Sequence, residues 1–353
     1  MIYSIFPTKD STLFEVSESM NTGIDEILFI EKIVSSSLQP GISNTRATIQ
    51  FDLDGVSQSL AAGTIDSTNG IQFYLNLYTT EATAIPLEYG VMAIPLSESW
   101  GMGVGRTTNN PITTEGASWK YRFGEIDATE WLSPGGTTGS SGNVHTQSFN
   151  YNLTDIRMSV SQSVADWLSN TTENNGFLLL RSGSEETDAN LYGSLKYFSR
   201  DTHTIYVPKL EVLWDDSVYN TGSLDELTAS NIILYLKDNA GIYRENSRIQ
   251  IGVVGRETYP VKTYTTSSAQ LDIKYLPSSS YYSVKDALTE DVVIPFDDNY
   301  TKVSCNSSGN YVNLWLDGLQ PERYYRLVFK IEDRIYTGQV EYFDNDHIFK
   351  VIR

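Results

Sequence analysis

Apolar and polar residues alternate along most of the chain. In residues 45–53 (TRATIQFDL), Ala47, Ile49, Phe51 and Leu53 fall on one face, and in residues 70–78 (GIQFYLNLY) Ile71, Phe73, Leu75 and Leu77 do the same. A period of two over such lengths predicts strands with one buried face. Residues 27–30 (ILFI) predict a short strand buried on both faces. Residues 91–96 (VMAIPL) predict another, with Pro95 at an edge or a strand end. Residues 176–180 (GFLLL) read as a central strand, and residues 191–198 and 204–214 as the closing pair, with Pro208 at an edge or bulge. Helical spacing stands out once, over residues 155–168 (DIRMSVSQSVADWL). Val160, Val164, Trp167 and Leu168 form one stripe there, Thr154 or Asp155 can cap its start, and Ser169-Asn170 closes it.

Between the strands lies a contrasting segment. Residues 99–147 carry nine glycines among Thr, Ser and Asn, punctuated by Trp100, Trp119 and Trp131. Three indoles would not stay solvated in a plain linker. The segment is therefore either a structured excursion pinned by its tryptophans or an aromatic ligand platform. Its mobile tip is expected at residues 134–143 (PGGTTGSSGN). Beyond residue 230 the short-strand rhythm resumes at 231–236, 248–254, 270–275, 302–305, 311–316, 324–331, 334–342 and 349–352. Residues 280–288 read as irregular or edge, and residues 324–331 and 334–342 as a hairpin through Glu332-Asp333. Strands at this spacing predict a sandwich. The expected fold is all-β: a jelly-roll-like β-sandwich with one helix and a long loop excursion over residues 1–216, a linker at 217–229, and a smaller, Ig-like β-sandwich at 230–353.

Charge narrows the function. The formal net charge is -19, with 44 acidic against 25 basic residues. That field repels nucleic acid and anionic membrane surfaces, and the densest basic stretch, Arg323, Arg326, Lys330 and Arg334, is interleaved with acids. Cys305 is the single cysteine, so no disulfide forms within the chain. The opening MIYSIFP lacks the pattern of a signal peptide, and no apolar run is long enough to span a bilayer, so synthesis in a cytoplasm is expected.

Chemistry-bearing residues are sparse. Gly101 to Arg106 (GMGVGR) lacks the Lys-Ser/Thr pair of a phosphate loop. His145, His203 and His347 are widely separated, and neither a His-x-x-x-His nor a cysteine pair suggests zinc. Glu98, Glu115, Glu125, Asp127 and Glu130 sit in the excursion, Glu125 and Asp127 sharing a face if they lie on a strand. An acid/base pair for glycoside cleavage would need two facing carboxylates, which the spacing does not single out. Asp52 and Asp54 alternate onto one face and, with Asp10, would ligate a hard cation such as calcium if their loops converge. Tyrosine is abundant, at 23 residues. Tyr281-Tyr282 and Tyr324-Tyr325 would place one ring inward and one toward a neighbour, which makes Tyr281 and Tyr324 interface candidates.

A series of landmarks in order supplies a resemblance. They run from residues 7–13 (PTKDSTL) and 22–28 (TGIDEIL) to 46–53 (RATIQFDL) and 71–75 (IQFYL). They continue through Ser99-Trp100, residues 116–119 (GASW), 155–168, 175–180 (NGFLLL), 196–200 (KYFSR) and 208–212 (PKLEV). Residues 5–216 thereby resemble the DNRLRE-type jelly-roll family. Arg200 departs from it where an acid is common, and Lys209 follows the proline. The glycine pattern at 103–106 and the run at 115–122 (EGASWKYR) look most like versions in tailed-phage structural proteins. The resemblance implies a non-enzymatic virion protein of the tail or head–tail connector. It would contact copies of itself and other virion proteins, with the excursion ordering on contact. The alternative is a carbohydrate-binding module using Trp100, Trp119 or Trp131 against sugar rings, a reading that exposed indoles would favour and buried ones would remove.

Overall fold

The computed structural model describes residues 1–34, 41–66, 70–139, 143–150, 154–228, 231–259, 273–332 and 340–353. Strand outweighs helix by 47% to 9%, and the sheets curl into sandwiches, so the fold is all-β. The chain divides into two compact units. One holds Ile5–Ala62 and Gln72–Glu211, and the other Met1–Ser4, Gly63–Ile71 and Val212–Arg353.

In the first unit an eight-stranded sheet runs in the order Thr79–Thr83, Gly193–Phe198, Ile27–Val34, Ile42–Phe51, Phe177–Arg181, Glu88–Pro95, His145–Asn150. Pro7–Phe14 also pairs with Ile42–Phe51. Lys209–Leu213, Gln72–Leu77 and Ile156–Ser159 lie side by side in a second sheet. The alternating residues Ala47, Ile49, Phe51, Phe73, Leu75 and Leu77 are all buried, as their period demands. Pro95 ends its strand, and Phe177–Arg181 is central, buried along its whole length. Ile27–Val34 is longer than its apolar run, because the sheet continues through Glu31 and Lys32 to the pairing of Val34 with Ile42.

The helix is shorter than its stripe suggests. Ile156–Ser159 is a strand that turns Ile156 and Met158 inward opposite Leu77 and Leu75. Only Ser161–Leu168 is helical. Four residues of strict alternation paired to a neighbouring strand outweigh helical propensity here. The helix closes as expected: Asn170 adopts φ 56°, its N–H bonds Trp167 O at 3.0 Å, and Thr171 N–H bonds Asp166 O at 2.9 Å. That is a Schellman ending with Asn in the left-handed position. Asp54–Ala61 forms a second helix that the pattern did not announce, since Gly55 reads as a turn residue.

The second unit pairs two sheets. One has the order Asp225–Glu226, Lys274–Tyr275, Arg248–Glu257, Gly309–Trp315, Ser304–Asn306, with Ile232–Lys237 also on Arg248–Glu257. The other runs Ile242–Arg244, Val340–Ile352, Arg323–Glu332, Ser280–Asp286, Val292–Ile294. Ser280–Asp286 is an inner strand rather than an edge, with a register shift between Val284 and Lys285 against Val292–Ile294, and Ser283 can be buried because its Oγ bonds Ile294 O at 2.7 Å. The two C-terminal strand segments are one, Val340–Ile352, paired with Arg323–Glu332 across a register shift. Of the expected turn, Glu332 ends its strand opposite Val340, while Asp333, and residues 270–272 of the 270–275 strand, lie outside the described residues. The expected linker is described over residues 217–228. Tyr219 bridges Cys305, and Leu227 is buried within this unit. Met1, Ile2 and Ile65, distant in sequence, are buried parts of the same unit.

Candidate functional site

The excursion is the most distinctive part of the first unit, and its organising residue is Asn21, fully buried. Its Nδ2 donates to Met102 O at 2.7 Å and to Ala117 O at 2.8 Å. Its Oδ1 accepts from Gly23 N at 3.2 Å and Gly105 N at 2.8 Å. One side chain thus uses all four of its hydrogen-bonding capacities to tie three backbone segments together. The glycines follow from that approach. A Cβ on Gly103 (φ 78°) would stand 2.2 Å from Glu115 O, and one on Gly116 (φ 106°) 2.5 Å from Gly103 Cα. The G-x-G-R and E-G-x-x-W patterns therefore mark close backbone packing rather than a phosphate cradle.

The three tryptophans finish the attachment. Trp100, Trp119 and Trp131 are buried in one cluster with Leu13, Leu178 and Leu180, a layer laid over the outer face of the eight-stranded sheet. Trp100 Nε1 donates to Asn175 O and Trp131 Nε1 to Ser118 O, both at 2.9 Å. The Arg46 guanidinium lies 4.8 Å from the Trp119 ring, and Lys9 Nζ lies 5.1 Å from that of Trp100. These indoles offer no open face to a sugar, which corrects the expectation of a tryptophan platform. The excursion does not wait for a partner to order it either. Within the expected mobile tip, Gly135 packs on Trp119, Arg46 Nη1 bonds Gly135 O at 2.9 Å, and Thr138 bridges Leu96. Residues 140–142 lie outside the described residues.

The remaining candidates scatter. Asp10 is buried in its strand, and its Oδ2 accepts from Arg200 N at 2.7 Å. Burial pushes its carboxyl up to about 7; the Arg200 hydrogen bond opposes the shift and the nearby Asp201 charge adds to it. Asp52 and Asp54 are exposed at the start of the Asp54–Ala61 helix, where Asp52 Oδ1 accepts from Asp54 N at 2.9 Å. Among the described residues no three carboxylates, histidines or thiols stand close enough to hold a metal ion, so Asp10, Asp52 and Asp54 form no calcium site. Glu98 and Glu130 pair with Arg122 and Lys120. Asp127 ends a single helical turn, Gly124–Asp127, rather than lying on a strand. His145 Nε2 lies 2.6 Å from Ser163 Oγ, and Cys305 is buried. Tyr281 is buried beneath Lys330 Nζ, 4.5 Å away, whereas Tyr324 is 55% exposed and Tyr325 faces the core. Tyr281 therefore leaves the interface set and Tyr324 stays in it.

Two features escaped the sequence pattern. Tyr206 stacks on Phe198 (5.7 Å between centroids, 15°) and tilts on Tyr78, beside a Lys209–Glu211 pair at 2.9 Å. The second is a cavity of about 530 Å³ between the start of the Asp54–Ala61 helix and the loop after Ser161–Leu168, lined by Asp52, Asp54, Trp167 and Glu173 among others. No local motif signals either, because each joins segments more than 100 residues apart. A comparison with protein-family models finds no match, and neither does one with curated protein sequences.

Proposed function

We propose that the chain is a non-enzymatic structural protein of a tailed-phage virion, a tail or head–tail connector component assembled by protein–protein contacts. The observation that carries this reading is the pre-formed excursion. It is fixed to the sheet by Asn21 and three indoles, and it holds Val104, Ile112 and Leu132 outward at 61%, 45% and 83% exposure. Apolar side chains on a frame already ordered lose little conformational freedom on docking, which favours association. The ordered landmarks of the jelly-roll resemblance support the same setting, and burial of the tryptophans withdraws the support they lent to sugar binding.

Single-particle imaging of the purified chain, alone and mixed with particles from its source, tests the proposal. Closed rings or stable incorporation into a tail or neck are expected. A protein that stays monomeric and joins no particle would overturn it. A double variant, Val104→Asp with Leu132→Asp, should fold normally by circular dichroism and fail to incorporate.

A further inference from the structure

His145–Asn150 ends the eight-stranded sheet, and Ile156–Ser159 ends the second sheet of the same unit. His145, Gln147 and Phe149 lie opposite Ala93, Val91 and Tyr89, all buried, so they share the core-facing side of their strand. Phe149 suits that side: it is buried and stacks on Tyr89 with 5.0 Å between centroids. His145 and Gln147 are polar where alternation calls for apolar side chains, and both reach across to the edge of the other sheet.

That edge has one paired side. Ile156 and Met158 lie opposite Leu77 and Leu75, and Val160 N–H bonds Phe73 O at 2.9 Å. Backbone groups alternate in direction along an antiparallel strand, so those of Asp155, Arg157 and Ser159 face away from the sheet. Such a row is a template for a strand from another molecule. Here it is occupied from within. Gln147 Nε2 donates to Asp155 O at 3.1 Å, and Arg157 N–H donates to Gln147 Oε1 at 2.8 Å. A carboxamide carries the donor and the acceptor of a peptide group, so one side chain makes the two bonds that a residue of an added strand would make. The His145 ring donates to the Ser159 carbonyl, and its Nε2 lies 2.6 Å from Ser163 Oγ. Both Gln147 bonds lie at the surface, where water would satisfy the same backbone groups. Fold stability therefore does not require a polar residue at 147, whereas exclusion of a foreign strand does.

We infer that Gln147 and His145 form an autoinhibitory contact, side chains in the place of a strand, which keeps the Ile156–Ser159 edge from pairing with the same edge of a second copy. Val104, Ile112 and Leu132 take no part in it, so it does not depend on the virion reading.

The test uses the full chain carrying Val104→Asp and Leu132→Asp, so that association through the excursion does not enter. Gln147→Leu, an apolar residue at a core-facing position, is added to this background. Hydrogen exchange at the Arg157 amide should be at least about tenfold faster in the dilute variant than in the background. Sedimentation velocity should show the variant forming dimers at lower concentration than the background, with the Arg157 amide protected again in the dimer. If Gln147→Leu does not fold, Gln147→Thr, too short to reach the edge and at home in a strand, reads the same differences. A folded variant that associates no more than the background, or that associates while the Arg157 amide still exchanges fast, overturns the inference.

Discussion

At the scale of single residues, two buried polar groups act in opposite ways. Asn21 is fully satisfied, so replacing it removes four hydrogen bonds and strands their backbone partners in the interior. Asn21→Ala should cost on the order of 3–5 kcal/mol in urea denaturation and should loosen the tryptophan cluster, seen as lost near-ultraviolet circular dichroism. Asn21→Asp should be nearly as costly, since it keeps the acceptor but loses both donors. Asp10 is under-satisfied when charged. Its folded pKa, about 7, lies above the ordinary 3.8. An acid so shifted binds its proton more tightly when folded, so its contribution is fully present below about 3.8 and is lost as pH rises through about 7. Asp10→Asn keeps an acceptor for Arg200 N and never ionises. Relative to wild type, the variant should gain on the order of 2–4 kcal/mol in stability between pH 5 and pH 8. Parallel stability curves for the two proteins over that range would contradict the assignment.

At the scale of elements, legibility followed the reach of each interaction. Strands such as Ile42–Phe51 and Gln72–Leu77 were plain because an alternating face is decided by its own residues. The Ser161–Leu168 helix was readable at its C-terminal end, where Asn170 and the closing bonds are local, but not at its start, where pairing with Gln72–Leu77 claims Ile156–Ser159 for a sheet. The tryptophans were recognisable as anchors, yet only the folded chain shows what they anchor to, since Leu13, Leu178 and Leu180 come from distant strands. The cavity was illegible for the same reason. One prediction belongs to this scale. Gly116→Ala must displace the backbone of Gly103 and adopt φ 106°, so it should release the excursion from the sheet. Limited proteolysis should then cut within residues 101–139 at least tenfold faster, about 1.4 kcal/mol or more of lost local stability. Gly63→Ala, which meets no neighbour although its φ is also positive, serves as the control for backbone strain alone.

At the scale of the whole molecule, charge sets the salt dependence of the proposed assembly. Copies of a chain carrying -19 repel one another over distances comparable to the Debye length, about 10 Å at 0.1 M salt and about 3 Å at 1 M. Self-assembly through the apolar residues of the excursion must overcome that repulsion, and screening lowers it, so sedimentation velocity should show larger oligomers as salt rises. Oligomers that dissolve with rising salt would mean that charge pairs, not Val104, Ile112 and Leu132, hold the copies together. A virion component needs to assemble at the ionic strength of a cell, where a Debye length of about 8 Å already mutes much of the monomers' mutual repulsion.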